Sequence, residues 1–105
     1  MGVVELFRAV SEEEFKDVFA HGKLRKIAGS VEGKWFAESA EDAAQWGKLL
    51  YGEQPFRIIA IQIEEASANQ LFRLIKLDNI GPARFAEVEQ LELRGVREVS
   101  YGKDS

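Results

Sequence analysis

Hydrophobic and polar positions along this 105-residue chain fall into short segments whose periods switch between two residues and about 3.6. Val3–Val10 is rich in β-forming residues and predicts an opening strand. It ends at Ser11, three residues before Glu14. This is the Ser-x-x-Glu spacing of a capping box, in which each side chain satisfies a free amide at a helix start. Phe15, Val18 and Phe19 follow at helical spacing, and His21-Gly22 supplies the stop. Leu24–Ala28 reads as a short strand, 29–33 as a flexible loop and Lys34–Ala37 as a short aromatic strand. Ser39 opens a second helix, with Glu41 and Asp42 favouring the positive end of its dipole and Ala43, Trp46 and Leu50 forming its apolar face. Gly52 and Pro55 end it.

Phe56–Glu64 is the most strand-like segment. Ile59, Ile61 and Ile63 alternate with Phe56, Ile58 and Ala60, so both faces are apolar and the strand is predicted to be central and covered on both sides. Glu65–Arg73 can form a short helix on Ala68, Leu71 and Phe72, and Leu77–Pro82 is a turn-rich connection. Arg84–Leu93 reads as one strand or two joined by a bend, Val96–Tyr101 as a last short strand, and 102–105 as a frayed tail. The fold class that follows is α+β, one domain over residues 1–101, with a split, mainly antiparallel sheet and short flanking helices.

Composition narrows the chemistry. With 46% hydrophobic and 30% charged residues the chain reads as an ordinary globular domain, and its longest apolar run is far short of the ~20 residues a membrane helix needs. The expected location is cytoplasmic, or delivered as part of a larger secreted protein. A net charge of −4 argues against nucleic acid as a partner. Zero cysteines and one histidine exclude thiolate zinc sites, cysteine nucleophiles and histidine-pair acid/base chemistry, and no metal site is expected. His21 itself fits a structural role at a helix C-terminus.

Three features stand out against that background. Arg8 lies inside the first strand, where a charged residue either faces solvent or reaches a phosphate or carboxylate with its planar fork. Ser39 follows an aromatic strand, as a helix cap or as a ligand contact at the sheet edge. Glu87 and Glu89 stand two apart on one strand, about 7 Å from each other on the same face; they are either an exposed acidic strip or a buried pair whose pKa values rise together.

The order of Leu-Phe-Arg8-Ala, the segment Gly33–Gly47 with its aromatic strand, Ser39 and Ala-x-x-Trp helix, and the late Glu87-x-Glu89 resembles the Arg–Ser–Glu order of ADP-ribosyltransferases, in particular compact bacterial members. From Leu6 to Leu91 the chain is also similar to the C-terminal toxin domains of bacterial polymorphic toxins, in its Arg-Ala-Val-Ser start and its Ile-Gly-Pro-Ala-Arg segment. The resemblance implies an enzyme that transfers ADP-ribose from NAD, used as a substrate, to an unknown acceptor, with a protein acceptor or an immunity protein as partner. In it Arg8 grips the NAD diphosphate or adjoining ribose, and Ser39 fixes the nicotinamide-side strand. Trp35 or Phe36 stacks on nicotinamide, Glu89 is the catalytic glutamate, and Glu87 orients the acceptor. Where the family has Ser-Thr-Ser this chain has Ala37-Glu38-Ser39, which puts a carboxylate beside the expected nicotinamide pocket.

Two other readings use the same residues. A small ribonuclease toxin would employ Arg8, Lys34, Arg84 and Glu87, against the acidic charge and lone histidine. A non-catalytic interaction module would present the exposed parts of Trp35, Trp46 and Tyr51, although Trp46 fits core packing better.

Overall fold

Alternate side chains of β1 (Val3–Val10) serve two different cores. Val4, Leu6 and Val10 pack on one side of the sheet and Phe7 on the other. The computed structural model describes residues 2–22, 24, 33–87 and 94–100. Outside that range lie Glu89, most of the expected 24–28 strand, the end of the expected 84–93 strand and the 102–105 tail.

After β1 come α1 (Glu12–His21), β2 (Gly33–Ala37), α2 (Ala40–Tyr51), β3 (Arg57–Glu64), α3 (Glu65–Ala68), β4 (Phe72–Leu77), β5 (Gly81–Glu87) and β6 (Gly95–Val99). The strands form one sheet in the order β4-β5-β2-β1-β3-β6, with every neighbouring pair antiparallel. Six strands in a single sheet replace the expected split into two. A division survives within it, because β1 and β2 are joined by one paired position, Phe7 with Ala37, whereas β1 and β3 pair over all eight residues of each.

Val18 of α1 and Ala68 of α3 share a core with Ile59, Ile61, Ile63 and Phe36. On the opposite face, Ala43, Ala44 and Trp46 of α2 pack with Ala37, Ile58 and Ala83. The three isoleucines of β3 thus face α1 and α3 while Ile58 faces α2, as the two-sided apolar pattern requires. At the far end of the sheet Arg57 ties three elements together. Its guanidinium bonds Glu12 of α1 and Glu98 of β6 and lies 4.4 Å from the centre of the Phe15 ring.

Two expectations along the chain fail for identifiable reasons. The helix predicted for 65–73 stops at Ala68, and Phe72–Leu77 is a strand, because pairing with β5 gives those residues a ladder that an isolated short helix lacks. β5 begins at Gly81, three residues before the expected start. Asp78 and Asn79 adopt left-handed backbone (φ 55° and 62°), and Ile80 N–H donates to the Leu77 carbonyl at 3.0 Å; this is the tight primed turn that matches strand twist. Among the described residues no helix is long and apolar enough to cross a membrane.

Candidate functional site

The position where β1 and β2 stop pairing is occupied by a side chain. Beyond Phe7–Ala37, Arg8 reaches across from β1 and donates from Nη1 to the Trp35 carbonyl of β2 at 3.2 Å. Its other contacts go to Glu14 of α1, Nε to Oε2 at 2.9 Å and Nη2 to Oε1 at 3.2 Å, the two-pronged geometry that guanidinium and carboxylate share. Lys34 brings its Nζ to 3.5 Å from the same Oε2. Glu14 and Lys34 are both buried, and Arg8 is partly exposed.

Two cations therefore share the Glu14 carboxylate, and Asp17 of α1 adds a second negative charge that acts on Lys34. Burial works to raise the Glu14 pKa, but the bonds and charge of Arg8, joined by Lys34, outweigh it and leave the carboxyl below its usual range. For Lys34 the balance runs the other way, since burial and the nearby Arg8 charge depress its pKa more than Glu14 restores it. Tyr51, at the end of α2, feels both Arg8 and Glu14, and burial raises its phenol.

The local chain explains how Glu14 arrives there. Ser11 Oγ accepts from Glu14 N–H at 3.1 Å, so the serine half of the capping box forms. The glutamate half is diverted, because the Glu14 carboxylate turns into the seam to meet Arg8 and Lys34.

On the α2 side of the seam lies a cavity of about 150 Å³, walled by Phe7, Trp35, Trp46, Leu50 and Leu77, with Arg8 at its border. Trp46 is held by a bond from its Nε1 to Asp78 Oδ2 at 3.1 Å, which links α2 to the β4–β5 turn. Leu50, expected on the buried face of α2, is instead 66% exposed at the cavity wall. An apolar cavity of ~150 Å³ accommodates a single six-membered ring.

Of the residues expected to form a site, Arg8 and Trp35 are brought together here. Ser39 caps α2, its Oγ accepting from Asp42 N–H at 3.2 Å. Glu87 is exposed at the end of β5, opposite Gly33 and on the same strand face as Phe85 and Trp35. Glu89 lies outside the described residues. Phe36 must be corrected: it is 1% exposed in the α1-side core, so its ring has no surface to offer a ligand, and only Trp35 of the pair borders the cavity.

Glu38 must also be corrected. Its carboxylate bonds Arg73 Nε at 2.7 Å and Arg84 Nε at 2.6 Å, and Arg84 pairs in register with Phe36, on the face opposite the cavity. The hydrogen bond from Arg73, followed by that from Arg84, outweighs desolvation and lowers the Glu38 pKa to about 2. Arg84 donates further to the Ala68 carbonyl at 2.6 Å. It therefore has a structural role as the link between β5 and α3.

The residue that pattern reading missed is Glu14. A signal existed: Val4, Leu6, Arg8 and Val10 share one strand face, and a cation within an apolar face requires a buried carboxylate from whatever packs on it. Comparison with protein-family models, with curated protein sequences and with solved structures returned no match.

Proposed function

We propose that the seam between β1 and β2 binds the nicotinamide end of NAD and that the chain transfers ADP-ribose from NAD to an acceptor. The observation that carries this reading is the opening of the sheet at Arg8, where a ring-sized apolar cavity adjoins the guanidinium of Arg8. A dinucleotide presents these two demands side by side, a flat heteroaromatic ring for Trp35 and Trp46 and a diphosphate for Arg8. Arg8 has five N–H donors, of which three bond Glu14 and Trp35 among the described residues.

In the reaction the bond between ribose C1′ and the nicotinamide nitrogen breaks. The electron pair leaves with nicotinamide as a neutral molecule, and the acceptor nucleophile bonds C1′ and gives up its proton. Charge at C1′ becomes positive on the way, and an ionised carboxylate aimed at it lowers the barrier. Glu89 is assigned that role on the family resemblance alone, and Glu87 the orientation of the acceptor on the resemblance and on β5 running beside Trp35.

Titration calorimetry with NAD, with nicotinamide release followed in the same samples, tests the reading. Saturable binding is expected, weakened by Arg8→Lys and by Trp35→Ala, with nicotinamide release abolished in Glu89→Gln at an unchanged melting temperature. Absence of binding at millimolar NAD, or release unaffected by Glu89→Gln, overturns it.

A further inference from the structure

Two charged residues border the seam cavity, Arg8 from β1 and Asp78 from the turn between β4 and β5. In the sheet β5 and β2 lie between β4 and β1, so the cation and the anion approach the cavity from opposite sides. Asp78 is anchored twice. Its Oδ2 accepts from Nε1 of Trp46, whose ring walls the cavity, at 3.1 Å, and its backbone is held in the left-handed conformation of the turn (φ 55°). The indole is neutral and leaves the carboxylate charge in place. Asp42 of α2, beside Gly81 just past the turn, adds negative charge on the same side. The cations of β4 and β5 do not neutralise Asp78: Arg73 and Arg84 are bonded to Glu38 on the opposite sheet face, and Lys76 is exposed and forms no ion pair with it. Neither anchor needs the charge. Asparagine adopts the same left-handed backbone and offers an oxygen to the indole, so a carboxylate is more than the turn requires.

We propose that Asp78 selects the ring that enters the cavity, accepting one whose substituent donates N–H, as a carboxamide or an amidinium does, and refusing one that bears a carboxylate. An ionised carboxylate offers about four acceptor positions. The Trp46 bond occupies one of them, which leaves capacity for the NH₂ of a carboxamide at the rim. A carboxylate substituent in the same place brings no donor and meets like charge. The inference rests on the reading that the cavity takes a nicotinamide ring, and it narrows the substrate. NAD is accepted, whereas the dinucleotide whose pyridine ring carries a carboxylic acid instead of the carboxamide is refused. The ribosyl and carboxamide substituents of that ring are meta to each other and diverge. They therefore suit two partners placed as Arg8 and Asp78 are, with the ribose and diphosphate on the Arg8 side.

Two pairs of probes separate this inference from the reading beneath it: benzamide against benzoate, and NAD against its nicotinic-acid counterpart. Each is titrated to millimolar concentration into ¹⁵N-labelled protein while the Trp46 indole N–H and the amides of the seam are followed. The amide member of each pair is expected to bind more tightly, by roughly fivefold, because Asp78 is exposed and water screens its charge. In Asp78→Asn, which keeps the turn and the acceptor for Trp46, the melting temperature stays unchanged and the preference disappears. Equal binding within a pair that binds, or a preference that persists in Asp78→Asn, overturns the inference and leaves the NAD reading standing. A preference between the single rings without binding of either dinucleotide overturns the NAD reading alone. Absence of binding by all four probes overturns both.

Discussion

Arg8 and Trp35 belong to strands that have ceased to pair, and the hydrogen bond from the Arg8 guanidinium to the Trp35 carbonyl stands where a backbone bond would otherwise be. The fold thus depends at this point on a charged side chain. That side chain in turn depends on Glu14.

Glu14→Gln removes the carboxylate that Arg8 and Lys34 share and leaves the buried Lys34 beside the partly buried Arg8 without it. Breaking a buried pair from one side costs about 3–5 kcal/mol. In a domain of this size that corresponds to a fall in melting temperature of more than roughly 10 °C. Thermal denaturation followed by circular dichroism measures it, and a change of only a degree or two would mean that the triad contributes little.

Acid should weaken the domain through carboxylates that arginines hold ionised, Glu14 and Glu38 among them. Both Glu14 and Glu38 have folded-state pKa values below the ordinary 4.5, Glu38 at about 2. A depressed carboxylate contributes stability above its unfolded pKa and loses it as pH falls toward the folded value. Urea midpoints should therefore decline from about pH 4.5 toward pH 2. Glu38→Gln should flatten that decline while lowering stability at neutral pH; an unchanged slope would show that Arg73 and Arg84 do not hold the carboxylate in solution.

Gly47 sits in α2 with the Phe56 ring where a Cβ would be. Alanine at a helix interior gains ~1 kcal/mol over glycine, but Phe56 is stacked on Tyr51 and packed against the α2 core, contacts it would lose on moving aside. Overpacking costs about 1–3 kcal/mol, and the clash wins. Gly47→Ala should be less stable than the parent in chemical denaturation, against what helix propensity alone dictates.

Phe36 and Trp35 are neighbours in sequence with opposite fates. Phe36→Ala should cost about 3–5 kcal/mol, the usual loss for emptying a buried aromatic site. Trp35→Ala should cost clearly less, because Trp35 is only half-buried at the cavity and rests on Phe72 and Phe85. Equal losses in denaturant titrations of the two variants would contradict the face assignment of β2.

Much of this was legible wherever one side of an element is apolar. β1, α1, α2 and β3 each carry a period that burial enforces, and Ser11 and Ser39 mark both long helices. β4 was not legible. Ala68, Leu71 and Phe72 continue a helical spacing, and Phe-Arg-Leu-Ile-Lys-Leu has no clean alternation because neither face of that edge is covered. At the site, Arg8 and Trp35 are visible as unusual residues on consecutive strands. Their tie through Glu14 is tertiary: the same glutamate satisfies a local capping pattern, and only the packing of α1 on β1 shows where its carboxylate goes.

The strands on the two sides of the seam are interleaved along the chain. β4, β5 and β2 lie on one side and β1, β3 and β6 on the other, so the polypeptide passes from side to side four times, at β1 to β2, β2 to β3, β3 to β4 and β5 to β6. Neither side exists as a continuous stretch of sequence that could be cut out or made first. During synthesis β2 must wait for β5, about fifty residues later, before it has a full partner. Domains dominated by such distant pairings fold in milliseconds to seconds, so the nascent chain stays incomplete until its last third has been made.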